Sequence, residues 1–136
     1  KQLPLQSNIG FRLAAGHSNA RAVQHQFFLG GLETVRGFLD SQFLGKSFWQ
    51  ANVEFRIPSI NTPWIIFHHA IFYDVAAVAG SPAGLLAAQS LPFSSAGAGI
   101  RFLVPKIYDM SFRLDYAFAL DSRSPGGIAF GGTQFF

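Results

Sequence analysis

The sequence predicts an all-β fold, an antiparallel transmembrane β-barrel, and three features of the residue pattern carry that prediction. Apolar and polar residues alternate along several segments, as in strands whose two faces meet different surroundings. These segments are longer than the roughly five or six residues of a typical soluble strand. Charged residues make up only 12% of the chain, which is about half the fraction usual in soluble domains.

Six segments of the chain have this character and are predicted to be strands. They run from Asn8 to Ala15, Ser47 to Pro58, Trp64 to Val78, Ser94 to Pro105, Met110 to Leu120 and Ile128 to Phe136. The fifth strand shows the alternation most clearly. Its even-numbered residues are all apolar, whereas its odd-numbered residues include Ser111, Arg113 and Asp115. Such strict alternation gives a strand one apolar face and one polar face.

Charged residues mark the polar face of the other strands near their middles. The second strand carries Glu54 and Arg56, the third carries Asp74, and the fourth carries Arg101. In a membrane barrel this face would line the interior, whereas in a soluble β-sandwich it would face water. The alternation alone therefore leaves a soluble β-protein open as an alternative.

The links between the strands alternate in length, and this favours the barrel. Residues 16–46 and 79–93 form long links, whereas 59–63 and 106–109 form short ones. Outer-membrane barrels combine long outer loops with short periplasmic turns. Residues 84–91, in the second long link, fit either a short helix or a packed loop segment.

Aromatic residues gather at both predicted ends of the strands, as in the interfacial girdles of membrane barrels. The short-link end carries Trp64, Phe67, Tyr108, Phe135 and Phe136. The opposite end carries Phe48 and Trp49.

Composition argues against several functional classes. The chain has no Cys and a net charge of +3, and its basic residues are scattered, so we expect neither thiolate metal sites nor a nucleic-acid partner. No run of about 18 apolar residues exists that could form a transmembrane helix. His68 and His69 are adjacent and would point to opposite faces of a strand, which is poor geometry for a metal ion. Ser94, Ser95, Ser122 and Ser124 lack a neighbouring His for nucleophilic chemistry, and we predict no catalytic site, no cofactor and no metal.

The first long link contains the segment on which the functional prediction depends. It reads Phe27-Phe28-Leu29-Gly30-Gly31-Leu32-Glu33-Thr34-Val35-Arg36-Gly37-Phe38. This string resembles the sixth extracellular loop of the BamA/TamA/two-partner-secretion transporter superfamily, also called the bacterial surface antigen family. The resemblance implies a loop folded into the barrel lumen, with a motif formed by Gly30, Gly31, Val35, Arg36, Gly37 and Phe38.

Later segments resemble the family's following strands in the same order, so the resemblance covers essentially the whole chain. They are Asn52-x-Glu54-x-Arg56-x-Pro58, Phe72-x-Asp74, Gly97-x-Gly99-x-Arg101 and Arg113-x-Asp115-Tyr116. The resemblance implies that residues 1–136 are the C-terminal portion, the last six strands, of a sixteen-stranded barrel, with residues 16–46 as the lumen loop. An open six-stranded sheet would leave unsatisfied backbone groups in lipid. We therefore expect a fragment of a larger barrel or a chain that oligomerises.

In this family the loop arginine meets acidic groups on the inner wall of the barrel. Here Glu54 and Asp74 lie on the predicted inward faces, and Phe72 shares the face of Asp74, where its ring could stack on a guanidinium. The resemblance therefore implies that Arg36 clamps onto Glu54 and Asp74.

Glycines on the predicted inner side have a separate interpretation. Gly97 and Gly99 are expected to leave room for the loop backbone. In the last strand, glycines would either weaken strand pairing at the seam of the barrel or serve ordinary turns and curvature. These glycines are Gly126, Gly127, Gly131 and Gly132, and the terminal Phe136 would close the strand.

The resemblance implies a non-enzymatic function, the assembly, insertion or translocation of proteins at a bacterial outer membrane. The implied partners are the lipid bilayer, unfolded outer-membrane or secreted client proteins, and the missing N-terminal part of the barrel or other chains. Two alternatives share this half of the barrel: a two-partner secretion pore that exports one dedicated protein, and the barrel of a patatin-like fused enzyme. The domains preceding Lys1 would discriminate among the three.

Overall fold

A computed structural model describes residues 7–19, 25–87, 91–104, 106, 110–121 and 124–134. The strands are β1 (Asn8–His17), β2 (Phe27–Leu29), β3 (Phe43–Gly45), β4 (Ser47–Asn61), β5 (Ile66–Ala79), β6 (Phe93–Val104), β7 (Met110–Ala119) and β8 (Gly127–Gln134). One short helix, α1 (Pro82–Leu86), lies between β5 and β6. Tyr108, Phe135 and Phe136 lie outside the described residues.

Six of these strands form one antiparallel sheet in the order β1-β4-β5-β6-β7-β8, and β2 pairs with β3 in a separate hairpin. The prediction of an all-β antiparallel fold is confirmed. The six long strands occupy the six predicted segments, with ends that differ by a few residues. Each long strand pairs with the next long strand along the chain. The β2–β3 hairpin lies between β1 and β4 in the sequence, and these two strands pair with each other.

The turn between β4 and β5 explains why two predicted strand ends are wrong. β4 continues beyond Pro58 to Asn61, because a register shift between Pro58 and Ile60 accommodates the missing proline N–H. β5 starts at Ile66 and not at Trp64, since Thr62 closes the turn. Its backbone N–H donates to Ile65 O at 2.9 Å, and its Oγ1 accepts from Ile65 N at 3.1 Å.

The two faces of the sheet have opposite chemistry. On the face that we call the polar face, Glu54, Arg101 and Asp115 are buried, and Asp74 is 0% exposed. On the other face, here called the apolar face, large apolar side chains are open, and Ile71 for example is 58% exposed. A soluble protein buries apolar groups and exposes charges, so this inverted arrangement fits an apolar face that meets lipid.

The long segment between β1 and β4 packs against the polar face. Its β2–β3 hairpin was not predicted, because strands of three residues are too short to show a period of two. Leu29, Val35 and Phe38 from this segment form a buried cluster with Ala76 of β5 and Phe93 of β6. The segment therefore has its own hydrophobic attachment to the sheet.

The predicted position of Phe48 in an interfacial girdle is wrong. Phe48 lies on the polar face and packs against Phe27 of the hairpin, with ring centroids 4.6 Å apart. The reason is its register, since even-numbered β4 residues such as Glu54 point toward the loop.

Among the described residues the helix considered at 84–91 is α1, which begins two residues earlier, and residues 88–90 of that segment lie outside the described residues. Ser81 caps it by accepting a hydrogen bond from Gly84 N at 3.2 Å. No helix among the described residues is long and apolar enough to span a membrane.

The inverted faces predict a depth-dependent cost for a charge on the apolar face. Leu114 lies in the middle of β7 on this face, whereas Leu120 follows the end of the strand. In lipid vesicles we expect Leu114→Arg to lower the free energy of unfolding by about 2–4 kcal/mol and Leu120→Arg by about 0–1 kcal/mol. Urea titration followed by the heat-dependent gel mobility of the folded barrel measures both values. Equal costs at the two positions would contradict a lipid-facing surface.

Candidate functional site: a buried ion cluster under the loop

The centre of the site is Arg36, a loop residue whose side chain ends among the strands of the polar face. Arg36 is only 5% exposed. Its Nε and Nη2 donate to Asp74 Oδ2 and Oδ1 at 2.7 and 2.8 Å, a bidentate pair. Its Nη1 donates to Glu54 Oε2 at 2.7 Å. The planar guanidinium suits this arrangement because its donors form a rigid fork that matches carboxylate geometry.

An aromatic ring completes the surroundings of Arg36. The guanidinium carbon lies 3.4 Å from the centroid of the Phe72 ring. The four residues that the sequence singled out as a clamp, Arg36, Glu54, Phe72 and Asp74, are thus in direct contact. The backbone contributes as well, since Arg36 N donates to Asp74 Oδ2 at 3.2 Å.

Two further charged residues belong to the same cluster, and the sequence did not assign them to it. Arg101 of β6 donates through Nη2 to Glu54 Oε2 at 2.8 Å and through Nη1 to Asp115 Oδ1. Asp115 of β7 also lies 3.4 Å from Arg36 Nη1. Their mid-strand charge was visible in the sequence, but only the register of β6 and β7 shows that they converge.

The charges of the cluster balance. Arg56 donates through Nε to Glu54 Oε1 at 2.6 Å and adds a third, half-exposed cation. Three arginines then face three carboxylates; the six residues are Arg36, Arg56, Arg101, Glu54, Asp74 and Asp115. A buried charge is tolerated only when it is paired, and this balance meets that requirement.

The environment also fixes the charge of Arg36. Burial alone would lower the pKa of its guanidinium, but hydrogen bonds and negative charge from Asp74 and Glu54 raise that pKa above its ordinary value. The loop therefore presents a permanent cation to the sheet.

A row of residues across the sheet forms the surface on which the loop packs. Pairing brings Glu54 of β4, Phe72 of β5, Gly97 of β6 and Ala117 of β7 into register as successive neighbours. Large residues lie under Arg36 at one end of this row, and small residues lie at the other end. A Cβ added at Gly37 would lie 3.1 Å from Ala117 Cβ, so the loop backbone approaches the sheet closely there.

Gly37 is required for a second reason, which is its backbone conformation. Its φ is +85°, in the left-handed region that residues with a Cβ rarely adopt. Gly30 and Gly31 also have positive φ, at +116° and +89°. Thr34 braces this turn, since its Oγ1 accepts from Gly30 N at 2.7 Å and donates to Gly30 O at 2.8 Å.

The expected role of Gly97 and Gly99 needs correction. The atoms nearest to a Cβ at Gly97 are Tyr116 O, the Phe72 ring and Ala117 Cα, and those nearest to a Cβ at Gly99 include the Asp115 carboxylate. The space beside these glycines is thus filled by wall residues and not by loop backbone. Gly97 lets the Phe72 ring lie across β6, where Arg36 stacks on it.

Other predicted residues have separate positions. Val35 and Phe38 flank Arg36–Gly37 and are buried in the hydrophobic cluster. Gly131 and Gly132 lie in β8, where a Cβ at Gly131 would be 2.5 Å from Leu32 Cδ2 and one at Gly132 would be 3.4 Å from the Phe112 ring. Phe136 lies outside the described residues.

The described residues contain no group of three or more His, Cys, Asp or Glu arranged to hold a metal ion. The loop-side His17 instead places Nδ1 2.8 Å from Ser47 Oγ and Nε2 2.6 Å from Asn19 Oδ1.

Long antiparallel strands, an exposed apolar face and a loop held by buried charges on the opposite face define part of a β-barrel membrane protein. The family model of the Omp85 superfamily domain matches residues 1–136. The chain therefore belongs to the Omp85 superfamily, and the family resemblance seen in its sequence is confirmed. Comparison with curated proteins and with solved structures found no match.

Members of this superfamily are outer-membrane β-barrels that insert or secrete proteins and handle unfolded clients. They are transporters and assembly factors and not enzymes.

The ion cluster predicts that Arg36 holds the loop. We expect Arg36→Ala to leave Asp74 and Glu54 as undercompensated buried charges, at a cost on the order of 3–5 kcal/mol. Limited proteolysis of the folded protein should then cut within 27–46, where the wild type is protected. Arg56→Ala is the matched control, because Glu54 keeps two other arginine partners. Unchanged protection in Arg36→Ala would contradict the assignment.

The close approach of Phe72 to Gly97 predicts that this glycine cannot accept a side chain. Gly97→Ala places a Cβ against Tyr116 O, a backbone atom that cannot move aside, so we expect a loss of about 1–3 kcal/mol. Gly127→Ala is the control, since a Cβ there meets nothing within 4 Å. The urea midpoint in lipid vesicles measures both variants, and the same midpoint for the two would refute this explanation of Gly97.

Proposed function

We propose that this chain is the C-terminal, six-stranded portion of a sixteen-stranded barrel in the bacterial outer membrane. The whole protein then assembles or inserts client proteins into that membrane, in the manner of BamA and TamA. The observation that carries the proposal is the docking of the loop motif by Arg36 on Glu54, Phe72 and Asp74. It combines the sequence hallmark of the superfamily with contacts to side chains on two strands of the polar face.

The motif residues have a positional function in this proposal. Arg36 fixes the loop against β4 and β5, Gly37 lets its backbone approach β7, and Gly30 and Gly31 shape the preceding turn. None of these residues performs bond chemistry. A buried ion pair adds little net stability but resists displacement, because removal of one partner leaves an unpaired charge.

The terminal strand is the part that engages clients. Among the described elements β8 pairs with β7, and in the proposed sixteen-stranded barrel its other edge meets the first strand at a seam that can open to a client strand. Addition of a strand to such an edge is a general mode of peptide recognition, in which main-chain hydrogen bonds supply affinity. Gly131 and Gly132 lower the pairing propensity of this strand, which favours exchange of one partner strand for another.

The alternatives of a secretion pore and a barrel fused to a hydrolase share all of these residues. They differ in what the edge of β8 contacts. An assembly factor meets many outer-membrane proteins, a secretion pore meets one exported protein, and a fused barrel meets neither.

A photo-crosslinking residue at Phe130 tests the proposal in the native-length protein in its own membrane. Phe130 lies on β8 and is 68% exposed. We expect adducts with several different outer-membrane proteins, identified by mass spectrometry, because client strands pair at this edge. The matched control is Ile71, which is similarly open but lies on β5 between two paired neighbours; it should give no client adducts.

Each outcome decides between functions. Adducts with one secreted protein alone would replace assembly by secretion. The absence of client adducts at Phe130, with the protein correctly folded, would contradict both.

A further inference from the structure

The loop has a second attachment, separate from the ion cluster, at what we call the loop tip, residues Leu32, Glu33 and Thr34. Arg113 of β7 donates through Nη2 to Leu32 O at 2.8 Å and to Glu33 Oε1 at 2.6 Å. At the opposite edge of the sheet, Arg12 of β1 donates to Glu33 O at 2.8 Å. The loop tip therefore spans the sheet from β1 to β7, the first and the fifth of its six strands.

The loop tip also contacts the terminal strand. The side chain of Leu32 occupies the space over Gly131 of β8, with Cδ2 2.5 Å from the position of a Cβ there. The Arg113 side chain borders the same space, since its Nε would lie 3.3 Å from that Cβ. A glycine at 131 thus makes room for the loop and for the arginine that holds the loop.

A third contact lies just before the start of β8. Ser124, shortly before the strand begins, donates through Oγ to Gly37 O at 2.7 Å and accepts from Gly126 N at 3.2 Å. The loop therefore touches the terminal hairpin both before β8 and at the middle of β8. Nothing in the buried ion cluster requires these contacts, because none of its residues lies on β8.

We propose that the loop tip is a positioning element for the terminal strand, in which Leu32 seated on Gly131 and Arg113 bonded to Leu32 and Glu33 hold β8 against β7. The positioning role itself does not depend on the proposed function. Its consequence does, since control of β8 matters for clients only if clients pair with that strand. The positioning element gives Gly131 a specific role: because this residue has no side chain, the Leu32 side chain of the loop can pack there.

The nature of the contacts makes this attachment reversible. Glu33 is 76% exposed in its side chain, and an exposed ion pair contributes little alone. The Leu32 side chain is half-buried and can leave Gly131 without exposing a buried charge. β8 can accordingly detach from the loop tip while Arg36 stays in its cluster.

The test is Gly131→Val in the native-length protein in lipid, read by hydrogen–deuterium exchange of the amides in 127–134. Valine favours strand structure, so a strand without the loop contact should exchange more slowly. We expect the opposite, an increase of about tenfold in the exchange rate, because the new side chain displaces Leu32; tenfold corresponds to ~1.4 kcal/mol of opening free energy.

Two companion variants make the test specific. Gly132→Val is the matched control: the atoms nearest to a Cβ there belong to the Phe112 ring and Ser111 O, at 3.4 Å or more, and exchange should not rise. Leu32→Ala combined with Gly131→Val should restore slow exchange in β8, because the smaller residue vacates the space that valine fills. A misfolded Gly131→Val protein that the double variant rescues would support the same conclusion.

The outcomes separate this inference from the proposed function. Equal exchange in Gly131→Val and Gly132→Val, or no rescue by Leu32→Ala, would overturn the positioning role of the loop tip. Faster exchange of β8 without client adducts at Phe130 would leave the positioning role intact and contradict the proposed function.

Discussion

The fold depends on a single constraint, which is that the guanidinium of Arg36 is almost completely shielded from bulk water. A cation in that position needs carboxylates, and the chain supplies them from β4, β5 and β7 as Glu54, Asp74 and Asp115. These carboxylates are themselves buried, so Arg101 of β6 is needed to pair two of them. Four strands and the loop are thereby locked in one register, because a slip of one residue would turn a charge toward the apolar face. The cluster thus specifies an arrangement more than it adds net stability.

The sizes of the side chains beside the ion cluster also determine how the loop packs on the sheet. The row Glu54, Phe72, Gly97 and Ala117 has large side chains on β4 and β5 and small residues on β6 and β7. This difference in size allows the Phe72 ring to lie over Gly97 and Gly37 to rest on Ala117. Arginine and glycine are adjacent in the loop for this reason, since one must reach between strands while the other must touch the wall. The motif and the wall row are complementary surfaces.

Much of this was accessible from the sequence, and what was missed has physical causes. The alternation located all six long strands, since one-sided burial imposes a period of two. The partners Glu54 and Asp74 followed from their phase together with the family resemblance. Arg101 and Asp115 were not assigned, because their contact depends on the β6–β7 register, which places Gly99 opposite Asp115. Phe48 was misplaced for a related reason. An aromatic residue near a strand end fits both a girdle and a loop-packing site, and the face of the sheet on which its side chain lies determines which of the two it occupies.

The contacts of the loop weaken from the middle of the sheet toward its terminal edge, and this gradient has a mechanical consequence. At β4 and β5 the loop is held by buried charge pairs, which cannot separate without exposing an uncompensated ion to a poorly solvated interior. At β7 the pairing of Arg36 with Asp115 is longer, at 3.4 Å, and Arg113 bonds an exposed glutamate and a carbonyl oxygen of the loop. At β8 the described contact is the packing of Leu32 on a glycine. A force that parts the sheet from its loop therefore meets least resistance at β8, while the motif and the central strands stay together. A rigid centre beside a weakly held terminal strand is the arrangement that the proposed exchange of client strands requires, because the terminal strand must open repeatedly without unfolding the strands that support it.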